Sequence, residues 1–61
     1  MSDIFEEIRK SLVELEYDKV IELVKKALDQ NIHPLDIIDK ALSPAMREVG
    51  DLFEKGEYFL A

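Results

Sequence analysis

From Asp3 to Phe53 the apolar residues of this chain return every third or fourth position, and only a helix gathers residues so spaced onto one face. Ile4, Phe5, Ile8, Leu12 and Leu15 form the first stripe. Asp3 stands where an N-cap would, and Glu6 completes a capping-box-like pair. Glu16-Tyr17-Asp18 interrupts the stripe, and Asp18 is placed to cap a second helix with Val20, Ile21, Val24, Ala27 and Leu28 as its apolar face. That helix is expected to end near Gln30, with Asn31 in the left-handed position usually held by glycine. His33-Pro34 opens a third helix, because proline at the first helical position loses no hydrogen bond. Its expected face is Leu35, Ile38, Ala41 and Leu42.

Pro44 then falls inside the pattern, where it must break a backbone bond unless Ser43 caps a fresh turn. Periodicity resumes through Ala45, Met46, Val49, Leu52 and Phe53, so the spacing predicts a kink near Ser43-Pro44 or two abutting helices. The last runs to Lys55 and stops at Gly56. Glu6–Lys10, Glu22–Lys26 and Asp36–Lys40 are spaced to pair on the wet side. The expectation is an all-α fold, a helical bundle of three to four helices, with no strand signal.

Sixty-one residues hold one domain, 1–61, and a chain of this size buries only about 60% of its unfolded surface. The composition, 48% hydrophobic, is too apolar for a disordered tail. Fourteen acidic against eight basic residues give a net charge of −6, which repels phosphate and argues against a nucleic-acid partner. The absence of cysteine removes disulfides and thiolate chemistry. No apolar run approaches a membrane span, and the acidic N-terminus is unlike a signal peptide, so a cytoplasmic protein is expected.

No catalytic constellation is legible. His33 is the one imidazole; it reads as a solvent-facing residue at a helix entrance rather than a metal ligand, since no second ligand lies near it. Glu6-Glu7 and the Glu48, Asp51 pair read as a solvated face, opposite the apolar stripe. Phe53 has core spacing from Val49. The run Tyr58-Phe59-Leu60 is more apolar than a chain end needs, which marks it for contact with a ligand or partner.

The stretch from Asn31 to Leu60 carries Pro34-Leu35 with Ile37-Ile38, then Leu42-x-Pro44-x-Met46, Val49-Gly50-x-Leu52-Phe53 and Gly56-x-x-Phe59-Leu60. Together these resemble the helical cap module of cobalamin-binding proteins, found in the corrinoid proteins of methanol and methylamine methyltransferase systems and in cobalamin-dependent methionine synthase. The resemblance implies a four-helix cap over the methyl-bearing face of the corrinoid, followed by a flavodoxin-like cobalamin-binding domain. It implies that Phe53, Phe59 and Leu60 pack over the cofactor and that the chain itself supplies no catalytic residue and no metal ligand. The sequence stops before a fourth helix and holds neither the flavodoxin-like domain nor its Asp-x-His-x-x-Gly loop, so the cobalt-ligating role does not pass to His33.

The reading is the cap part of a corrinoid methyl carrier. Cobalamin is its cofactor in the parent protein, and none is expected for the isolated chain. The implied partners are a substrate methyltransferase and a methyl-acceptor enzyme. Rival readings are the cap of a cobalamin-dependent regulator and a stand-alone oligomerisation module; a chain that starts directly at its first helix favours the carrier. With three helices instead of four, apolar surface is expected to stay open beside Leu42, Met46, Val49 and Phe53, and a homodimer would cover it.

Overall fold

A computed structural model describes residues 3–56. All of its regular structure is helical: α1 (Ile4–Val13), α2 (Tyr17–Asp29), α3 (Pro34–Ile37), a π turn (Ile38–Leu42) and α4 (Ser43–Glu54). The last three run on without a break, so the described residues form three rods. The first, α1, packs against α2 and also against the π turn and α4.

Local rules account for most of the helix ends. The Asp3 carboxylate accepts the Glu6 N–H at 2.9 Å, and Asn31 turns left-handed at φ 63° after α2. Each of the first two helices closes in the same way. Leu15 N–H donates to Leu12 O and Glu16 N–H to Ser11 O; Asn31 N–H donates to Leu28 O and Ile32 N–H to Ala27 O. These paired bonds satisfy carbonyls that would otherwise be left over at a helix C-terminus. They also correct the expectation for Asp18. The closing turn brings the chain straight into α2, whose N-cap is Glu16, without a side-chain bond. Asp18 instead lies in the first turn, where its charge faces the amide end of the helix.

Pro44 is accommodated in a way the sequence did not reveal. Ser43 keeps helical angles, φ −64° and ψ −46°, and caps nothing. The preceding turn widens instead, and the Ser43 N–H donates to Ile38 O, five residues back. Proline lacks an N–H and its ring crowds the carbonyl four residues earlier; a π turn relieves both.

The π turn decides which residues are buried. Ile37, Ala41, Ala45 and Val49, at steps of four, lie at 8% exposure or less. In a regular α-helix, twelve residues overshoot whole turns by about a third of a turn. The slower winding of the π turn offsets part of that drift and keeps the four on the core side. The expected face therefore shifts: Leu35 and Ile38 are exposed and Ile37 is buried. Ile21 and Leu28 are exposed too, because α2 packs through Val20, Leu23, Val24 and Ala27. Among the described residues Ile8 is the one large side chain that is completely buried, and it meets alanines, which let the rods approach closely.

Candidate functional site: an exposed apolar face on α4

Of the residues expected to meet a cofactor, Phe53 lies in the last turn of α4 and is 37% exposed. Phe59 and Leu60 lie outside the described residues, as does Tyr58. Val49 proves buried and Leu52 half-buried, on the core side of α4 that borders an exposed strip. That strip consists of Met46, Gly50 and Phe53, spaced four and three apart on one helix face. Met46 is 58% exposed. Leu42, one turn before it, is half-buried, so the open surface expected beside Leu42, Met46, Val49 and Phe53 narrows to Met46 and Phe53.

Gly50 is the informative member. Glycine inside a helix destabilises it by about 0.5–1 kcal/mol relative to alanine. Among the described residues a β-carbon at Gly50 would meet nothing within 4 Å, and no left-handed angle requires glycine there. Nothing among the described residues thus explains it. The consequence is geometric: between two large apolar side chains the helix backbone is bare, and a flat object can come close to it. The sequence carried this signal as a glycine inside an apolar helical stripe, but pattern alone did not show which face it occupies.

The other candidates resolve into structure. His33 is exposed, and its Nδ1 accepts the Leu35 N–H at 3.1 Å. The imidazole is the cap of α3, which explains a histidine at that position. Glu6 and Glu7 face solvent, as expected, but Glu48 does not belong to a purely solvated face. It is half-buried and pairs with Arg9 at 2.7 Å. The other ion pair closed among the described residues is Lys19–Glu16 at 4.0 Å. Lys40, spaced to pair with Asp36, lies over the Phe5 ring, 5.5 Å from its centre. No group of three or more potential ligands gathers for a metal among the described residues. No described helix is long and apolar enough to cross a membrane.

Comparison with known proteins gives this face a context. A family model described as a B12 binding domain matches residues 4–61. The chain is 42% identical over 59 residues to monomethylamine corrinoid protein 2 of Methanosarcina acetivorans, covering 97% of this chain and 27% of that protein. It is 43% identical over 58 residues to monomethylamine corrinoid protein 1 of Methanosarcina mazei, covering 95% of this chain and 27% of that one. Dimethylamine corrinoid protein 2 of Methanosarcina acetivorans is 38% identical over 58 residues, with 95% of this chain and 26% of that protein covered. The chain thus spans about a quarter of the length of these relatives. No solved structure gives a significant match.

Proposed function

The chain belongs to the B12 binding domain family, and from that premise we propose that it is the helical cap of a corrinoid methyl carrier, laid over the methyl-bearing face of cobalamin. The observation that carries the reading is the strip Met46–Gly50–Phe53 on α4, in a chain that this family matches almost from end to end. The residues suit the group. A corrin ring is broad and flat, and its upper face is best covered by apolar side chains around a stretch of bare helix. Phe59 and Leu60 complete the cover in this reading.

Bound cobalamin supplies the metal centre that carries the methyl group. The part played by this chain is exclusion. Apolar side chains over the ring keep water and oxidants from the methyl-bearing face, and the cap must swing aside when a partner takes or gives the methyl. The chain is a lid and not itself an enzyme. Residues 1–61 form the cap, and a following flavodoxin-like domain holds the cofactor. Its partners are a substrate methyltransferase and a methyl-acceptor enzyme, in the cytoplasm. The relatives are named as methylamine corrinoid proteins, which favours a methylamine as methyl source and a carrier over a regulator.

The test is made on the full-length carrier charged with methylcobalamin. Phe53→Ala, Phe59→Ala and Leu60→Ala are each expected to hasten loss of the methyl group in air or light, while the thermal melt moves little. Unchanged loss rates in all three variants would assign these side chains to core packing instead.

A further inference from the structure

Among the described helices α4 leans on one neighbour. It continues from the π turn and packs against α1, while α2 contributes little to holding it. The side chains it buries are small: Ala45 and Val49 are covered, and Leu52 is half-buried. So shallow a seam sets how close the two helices lie, but it resists roll of α4 about its own axis only weakly. The bond from Arg9 Nη1 to Glu48 Oε2, at 2.7 Å, lies off that seam. Glu48 is two residues from both Met46 and Gly50, so helical winding sets it roughly 160° away from either, with Ala45 and Val49 between. The pair thus anchors one flank of α4, and the Met46–Gly50–Phe53 strip occupies the other. The Asp3–Glu6 and His33–Leu35 bonds, by contrast, each stay within one helix start.

We infer that Arg9 and Glu48 are positioning residues for the lid: by tethering the far flank of α4 they hold its roll, and with it the angle at which Met46, Gly50 and Phe53 meet the corrin face. The inference rests on the lid reading of α4, in which neither Arg9 nor Glu48 touches the ring. Side chains stand about 5–6 Å from a helix axis, so a roll of about 20° moves the strip by about 2 Å. That is most of the width of a water molecule, and a flat ring beneath a lifted edge is open to solvent. An ion pair as exposed as this one shifts the balance between a seated and a rolled helix by about two- to fivefold. Its loss should therefore loosen the cover without releasing it. Either partner left alone is exposed enough to hydrate, so the helices still fold.

The test follows methyl loss in air from the full-length carrier charged with methylcobalamin, at temperatures well below the melt of every variant. Arg9→Met and Glu48→Met should each hasten loss by about two- to fivefold, and the two together no more than either alone. One guanidinium nitrogen makes the contact, so Arg9→Lys should keep the rate close to that of the unaltered protein. Lys19→Met, which removes the Lys19–Glu16 pair away from α4, should leave the rate unchanged. Unaltered rates for both Arg9→Met and Glu48→Met overturn the positioning role and leave the lid reading standing. Equal acceleration by Lys19→Met or by Arg9→Lys overturns it too, since the effect would not then depend on this tether. A carrier that loses its methyl group as fast with residues 1–61 as without them overturns the lid reading, and this inference with it.

Discussion

Arg9 and Glu48, thirty-nine residues apart in sequence, meet at 2.7 Å and tie α1 to α4. Their side chains are 37% and 44% exposed, so solvent screens the attraction and the pair fixes registry more than it adds stability. In a double-mutant cycle with Arg9→Met and Glu48→Gln, chemical denaturation should report a coupling of about 0.2–1 kcal/mol. A coupling several times larger would mean that the pair is far less hydrated than its exposure indicates.

Gly50→Ala should separate stability from function. With no described residue within 4 Å of the added carbon, the variant should be more stable by about 0.5–1 kcal/mol. In the charged full-length carrier the same methyl group should hold the lid off the ring and hasten loss of the cofactor's methyl. A destabilised variant would show that another segment packs against Gly50; a stabilised one with an unchanged loss rate would show that nothing approaches it closely.

Much of this architecture was legible beforehand, and the reason is locality. The Asp3 cap, the left-handed Asn31 and the start at Pro34 each depend on a few neighbouring residues and their intrinsic preferences. The errors arose where the outcome depends on packing. Ser43 fails to cap because a π turn serves the core better, placing Ile37 rather than Leu35 or Ile38 inside. Ile21 and Leu28 match the helical period as well as Val20 and Val24 do, and only the placement of α1 shows which pair is covered. The site was legible in part. Phe53 stood out as an aromatic; Gly50 and the Arg9–Glu48 pair matter through exposure and packing, which composition does not carry.

The 61-residue chain is expected to self-associate. Leu35, Ile38, Met46 and Phe53 are all 37% exposed or more, and burying one large apolar side chain is worth about 1.5–3 kcal/mol. For a small domain these are sizeable fractions of the total stability. Light scattering after size exclusion should give a dimer mass and a melt that rises with concentration. A sharp melt of a 7.1 kDa monomer, independent of concentration, would show that three rods suffice.

The isolated chain is also expected to bind methylcobalamin negligibly, since a lid contacts one face and holds neither the lower ligand nor the nucleotide tail. Calorimetric titration with the visible spectrum followed in parallel tests this. Saturable micromolar binding would move the grip on the cofactor into the helical module itself.

The central claim, that these helices shield the cofactor, is tested most directly by removing them. The full-length carrier and a version lacking residues 1–61 are each charged with methylcobalamin, and loss of the methyl group in air is followed by absorbance. Retention of the cofactor in equal amount, with methyl loss accelerated toward the rate of the free cofactor, is the result expected of a lid. Equal loss rates in the two proteins, at equal cofactor content, would contradict it.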